Sequence, residues 1–183
     1  MDRRQIKTRS AIISAFVKLL SHKRYEHITV GEIIDEANVG RATFYSHFET
    51  KQYLLKSLCD ELFCHLFDCK DLTPYKHAHI FTCEATDSAF IHLFYHIQKN
   101  DNHLLDLLSS TNNELFLDYF QDGLKKLVEA HLPYFQHRKN SVLPDEFWSE
   151  HICVTYIHTI KWWISNGLKQ PPEQIAEYFY LAV

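Results

Sequence analysis

Apolar residues recur at helical spacing along most of the chain, and no stretch shows the period of two that a half-buried strand requires. Ile12, Ile13, Phe16, Leu19 and Leu20 line one face of a predicted helix over Arg3–Ser21. Ile33, Ile34 and Ala37 give the segment Val30–Ala37 an apolar side, and Tyr25 and Ile28 lie just ahead of it. Leu54, Leu55, Leu58, Leu62 and Leu66 do the same for a longer helix from Lys51 to about Phe67. Further helices are predicted at Asp87–Lys99, Asn102–Ser109, Asn113–Tyr134, Pro144–Gly167 and Pro172–Ala182. The breaks between them carry capping residues or proline: Thr86/Asp87, Asn100/Asp101, Thr111/Asn112, Pro133, Pro144 and Pro171-Pro172. The fold class is all-α.

The stretch Thr29–Lys51 has the most local detail. Thr29 and Glu32 stand in the T-x-x-E spacing of a capping box, in which each side chain satisfies a backbone N–H at a helix start. Asn38 tolerates the left-handed conformation that ends many helices. Val39 is a small apolar plug for the turn, and Gly40 is placed to cap a second short helix over Arg41–His47. Two short helices joined by a tight turn form a helix-turn-helix, whose second helix ordinarily enters the DNA major groove. Phe44 and Phe48, four apart, should point inward. That leaves Arg41, Ala42, Thr43, Tyr45, Ser46 and His47 for the groove. Ala42 and Thr43 can meet a thymine methyl, and Arg41 a guanine edge or a phosphate.

The run V-G-R-A-T-F-Y-S-H-F-E-T-K resembles the recognition segment of the TetR family of bacterial transcription regulators. The Thr-(apolar)-Tyr-x-x-Phe run and following Lys of that family fall on Thr43, Phe44, Tyr45, Phe48 and Lys51. The chain departs from the pattern at Asn38, where the family has Gly, and at Gly40, where it often has Ser or Thr. The resemblance implies that Tyr45 and Lys51 contact phosphates, which suits sequence-blind donors that fix register. The DNA-facing set is then Thr29, Arg41, Ala42, Thr43, Tyr45, Ser46, His47 and Lys51. It also implies two domains: a helix-turn-helix head over residues 1–50, and a helical-bundle body over 51–183 that binds an effector and dimerises. In the family, the last two long helices pair into a four-helix bundle. Here Ile152, Tyr156, Ile160, Trp163, Ile175 and Phe179 are the expected dimer stripe, with Trp148, Thr155 and Trp162 as a second one. A homodimer presents paired heads to palindromic double-stranded DNA, since half-sites lie one helical turn apart.

Charge sharpens this division. The net charge is −4, yet residues 1–58 hold ten Lys/Arg against six Asp/Glu, a net of +4, and residues 59–183 hold nine against seventeen, a net of −8. A basic head on an acidic body fits a single phosphate-facing surface. Arg3, Arg4, Lys7 and Arg9 are read as a flexible basic arm. At 183 residues and 46% hydrophobic, the chain can bury a substantial core. It shows no signal-peptide core after Met1 and no apolar run long enough for a membrane span, so a cytoplasmic protein is expected.

No G-x-S-x-G, P-loop, G-x-G-x-x-G or H-E-x-x-H occurs, so no catalytic residue is assigned. No cofactor is required by the reading, and the effector is a small molecule or zinc. Phe90, Phe94, Tyr95, Phe116, Tyr119 and Phe120 are the candidate lining of an apolar pocket. Cys64, His65, Cys69, His77, His79 and Cys83, within twenty residues of one another, are the candidate metal or redox cluster, since thiolate and imidazole suit zinc. A head that serves a protein partner as coactivator is the remaining alternative.

Overall fold

A computed structural model describes residues 3–66, 88–101, 104–109 and 114–183. Among these, the backbone forms ten α-helices: α1 (Arg3–Leu20), α2 (Val30–Ala37), α3 (Arg41–His47), α4 (Lys51–Leu66), α5 (Ala89–Gln98), α6 (Leu104–Ser109), α7 (Glu114–Ala130), α8 (Leu132–Phe135), α9 (Asp145–Ser165) and α10 (Pro172–Ala182). A single 3-10 turn, Tyr25–His27, precedes α2 and another, Gln136–Arg138, follows α8. The predicted α2 and α3 match in both bounds. The predicted helix Asn113–Tyr134 is two helices, because Pro133 has no N–H to continue the ladder and α8 restarts around it.

The N-terminal head packs α1 on α2, with Ile12, Phe16, Ile33, Phe44 and Phe48 buried at its centre. Arg3–Leu20 is helical from its first residues, so the expected flexible arm is instead the first turns of α1. The apolar face of α4 leaves the head and runs onto α7. The two helices approach closely because Gly123 has no side chain: a Cβ there would lie 2.1 Å from Cδ2 of Phe63.

The body closes around α5, α7, α9 and α10. Phe90 meets the rings of Phe135, Tyr156 and Phe179, and the Tyr156 hydroxyl donates to the Phe90 carbonyl at 2.7 Å. Trp163 lies edge-on to Phe94 and its indole N–H donates to the Gln170 carbonyl at 3.0 Å. The end of α9 is a Schellman cap: Leu168 N–H bonds to Trp163 O, Gly167 N–H bonds to Ile164 O, and Gly167 adopts φ +72°.

The expected dimer stripe lies inside the chain's own core. Ile152, Tyr156, Ile160, Trp163, Ile175 and Phe179 are each at most 1% exposed, so they complete the core of one protomer. They face the neighbouring helices of their own chain, which leaves them no surface to offer a partner. Trp148 of the second stripe is also buried, and Thr155 is half-buried. The apolar residues that α9 and α10 leave outside are Phe147 (57% exposed), Val154 (54%), Trp162 (40%), Tyr178 (40%) and Leu181 (75%). Trp162 and Tyr178 touch edge-on, which joins the two helices into one outward surface.

Candidate nucleic-acid interface

Local chemistry sets the angle between α2 and α3. The Thr29 hydroxyl accepts the Glu32 N–H at 3.2 Å, and the Glu32 carboxylate accepts the Thr29 N–H at 2.9 Å, completing the capping box. Lys23 also binds Glu32, and these donors hold its carboxyl down at about 2. The Thr29 hydroxyl donates to Glu32 as well, so this side chain is committed to the cap. Thr29→Ala should cost about 1 kcal/mol of stability, read as a lower midpoint in thermal or urea unfolding. Asn38 ends α2 at φ 50°, ψ 49°, in the left-handed region. Gly40 caps α3 with ordinary extended dihedrals, and a Cβ there would stand 3.6 Å from Thr43 Oγ1, a normal contact. The Ser or Thr usual in the family would therefore fit.

Phe44 and Phe48 are fully buried under α3, as expected from their spacing. Arg41, Ala42, Tyr45 and Ser46 are exposed, while Thr43 and His47 are half-buried. The Tyr45 and Phe44 rings meet at right angles with centroids 5.4 Å apart, and 47% of Tyr45 is exposed. The Ser46 hydroxyl donates to the Thr43 carbonyl at 2.7 Å, so it is already in use within the helix. Burial, with Arg9 nearby, lowers the His47 pKa and favours the neutral ring.

Lys51 sits differently from a plain phosphate contact. Its ammonium donates to the carbonyls of Tyr25 (2.5 Å) and Ile28 (2.7 Å) and lies 4.1 Å from the Tyr25 ring centroid. An ammonium has three N–H donors, and two are used in fastening the start of α4 to the turn before α2. Burial accordingly lowers its pKa. Thr50 caps α4 by accepting the Tyr53 N–H at 3.0 Å. Arg9 fastens the head from the other side: its guanidinium binds Glu61 of α4 at 3.0 and 3.2 Å and lies 4.6 Å from the Phe48 ring centroid. Neither clamp follows from sequence spacing, because each joins residues from separate elements.

The remaining candidates fall out as follows. Phe90, Phe94, Phe116 and Phe120 are core, Tyr95 is hydrogen-bonded to Glu173, and Tyr119 accepts a hydrogen bond from Gln52. An apolar cleft among the described residues, about 160 Å³, is lined by Leu108, Leu117, Phe120, Gln121, Ile157, Ile160 and Lys161, and it shares Phe120 with the expected lining. Of the proposed metal or redox cluster, Cys69, His77, His79 and Cys83 lie outside the described residues. His65 gathers with His92 and His96 of α5, and Cys64 is not part of that group. The sequence signal for it was the i, i+4 spacing of His92 and His96. Burial raises the pKa of the Cys59 thiol, and lifts that of Cys153 to about 11, so both are protonated and unreactive at neutral pH.

A capped helix-turn-helix with the outer side of its second helix open, carried on a body whose described elements are helices, defines a DNA-binding transcription regulator. Residues 12–58 match the family model described as bacterial regulatory proteins, tetR family, and residues 84–183 match the one described as transcriptional regulator C-terminal region. A crystal structure of a TetR transcriptional regulator from Streptococcus agalactiae is 34% identical, covers 97% of this chain and 94% of its own, and superposes with a TM-score of 0.72. The chain belongs to the TetR family. Bacillus subtilis FadR, solved in complex with stearoyl-CoA, is 18% identical with a TM-score of 0.59 over 94% of this chain and 96% of its own, a likeness of fold. An HTH-type transcriptional regulator of Bacillus subtilis, YxbF, is 23% identical over 181 residues, which is 98% of this chain and 45% of that protein. The chain thus spans about half the length of that curated relative. No described helix is long and apolar enough to cross a membrane.

Proposed function

We propose that the chain acts as a homodimer that places two copies of α3 in successive major grooves of palindromic DNA, and that an effector in the body sets the spacing of the heads. The observation that carries this reading is the outer face of α3, where Arg41, Ala42, Tyr45 and Ser46 are exposed beside Thr43, on a head that the charge pattern makes basic. Arg41 and Thr43 are the base-reading candidates, and Tyr45 is a phosphate contact. Lys51 adds at most one free N–H to a phosphate and acts mainly by holding the head together.

Dimerisation is assigned to Phe147, Val154, Trp162, Tyr178 and Leu181, because this is the apolar surface left on the two helices that the family pairs. An effector acts by binding one head spacing better than another. Among the described residues, an apolar cleft of about 160 Å³ beside Phe120 and Ile160 is one place in the body where a small apolar effector fits.

Selection from a random duplex pool, followed by titration at several salt concentrations, tests the reading. A palindrome should be recovered, with affinity falling steeply as salt rises. Tyr45→Phe should weaken all sequences alike, whereas Arg41→Ala should relax preference at one position by about 1–3 kcal/mol. Recovery of no sequence, with weak salt-insensitive binding, would reject α3 as the reading element.

A further inference from the structure

Where the C-terminal end of α4 meets α5, three imidazoles converge. Among the described residues they are the only three or more His, Cys, Asp or Glu side chains whose ligand atoms could surround one ion: those atoms all lie within 4.8 Å of one another. The ring centroids are 4.7 Å apart for His92 and His96, 4.8 Å for His65 and His92, and 4.9 Å for His65 and His96. His92 and His96 stand four apart on one face of α5, and both are buried. His65 comes from α4 and is half-buried.

We propose that His65, His92 and His96 form a binding site for a divalent transition-metal ion, zinc(II) by its ligand chemistry, which joins the end of α4 to α5.

Geometry supports this at two points. Two nitrogens about 2.0–2.1 Å from a tetrahedral ion stand about 3.3 Å apart. The Nε2 atoms of His92 and His96 are 3.2 Å apart, hydrogen-bonded to each other, and this separation is also the one two ligands of a shared ion take, the ion displacing the bonding proton. The other ring nitrogen of His96, Nδ1, lies 2.7 Å from Oδ2 of Asp101. A carboxylate there fixes the tautomer and aims Nε2 at the ion, the carboxylate–histidine–metal arrangement of natural zinc sites. Burial lowers the pKa of both His92 and His96, partly opposed at His96 by Asp101, which favours the neutral form a metal requires. Three imidazoles leave the fourth tetrahedral position for water or an anion. The chemistry favours zinc over magnesium or calcium, which take oxygen ligands.

The test is titration of the metal-free full chain with zinc(II) by calorimetry, repeated with cobalt(II), whose visible absorption reports tetrahedral nitrogen ligation. Wild type should bind one equivalent at this site and gain several degrees in unfolding midpoint. His65→Ala, the least buried of the three and so the safest for the fold, should lose that equivalent and the cobalt band. Asp101→Asn, which keeps all three ligands, should bind about 10–100-fold more weakly. Circular dichroism of each variant separates loss of metal from loss of fold. The proposal is overturned if wild type binds no zinc. It is equally overturned if a folded His65→Ala protein keeps the full equivalent and cobalt band, including the case where Cys69→Ser/Cys83→Ser removes them instead.

Discussion

Val154→Asp combined with Trp162→Asp should leave each protomer folded but monomeric, with affinity for palindromic DNA reduced by about 100-fold or more. Both side chains point outward, at 54% and 40% exposure, so the monomer core tolerates the change. A two-fold interface repeats each substitution. Four carboxylates would then be forced into an apolar contact, and the desolvation cost of several kcal/mol per ion is not repaid by any partner. Sedimentation velocity should show the mass halve while the helical signal persists. The DNA loss follows because two heads on one frame bind with an effective concentration that separate heads lack. A double variant that still sediments as a dimer would move the interface away from α9 and α10.

Gly123→Ala should destabilise the fold, against the usual expectation for a helix. In an open helix interior, alanine is favoured over glycine by about 1 kcal/mol. Here the new methyl would lie 2.1 Å from the Phe63 ring, and Phe63 is buried with little room to turn. Overpacking of this kind costs about 1–3 kcal/mol. For a chain of this length, the net should lower the unfolding midpoint by a few degrees. Adding Phe63→Leu should recover part of the loss, a coupling that a double-mutant cycle measures. A gain in stability from alanine alone would mean that α4 and α7 are not in contact at this point.

The elements with local signals were legible in the sequence. Thr29 and Glu32 mark the start of α2, Asn38 its end, and the spacing of Phe44 and Phe48 orients α3. These depend on residues within a few positions of each other. The orientation of α9 was not legible, because both of its stripes are apolar and only the packed neighbours decide which faces inward. The same holds for Lys51, whose ammonium finds carbonyls more than twenty residues back, and for Arg9, whose partner Glu61 lies on another helix. For His65 the sequence pointed to its chain neighbours. Its spatial neighbours come from α5, beyond the intervening segment. The resemblance to known regulators supplied the function, and the packing reassigned which side chains could carry the dimer.

The fastening of α4 at both ends makes it a beam with a fulcrum. Lys51 and the Arg9–Glu61 pair join the head to it, and Phe63 rests in the notch at Gly123. From Lys51 to Phe63 is about 18 Å at 1.5 Å per residue. A swing of about 5° over that length carries the head about 1.6 Å, and a two-fold mate swinging oppositely doubles this to about 3 Å. Against a groove repeat of about 34–36 Å, that is nearly a tenth of the pitch. In the proposed dimer, small rearrangements beside His65 would thereby be magnified into a mismatch with the duplex, with no need to unfold or reshape the head itself.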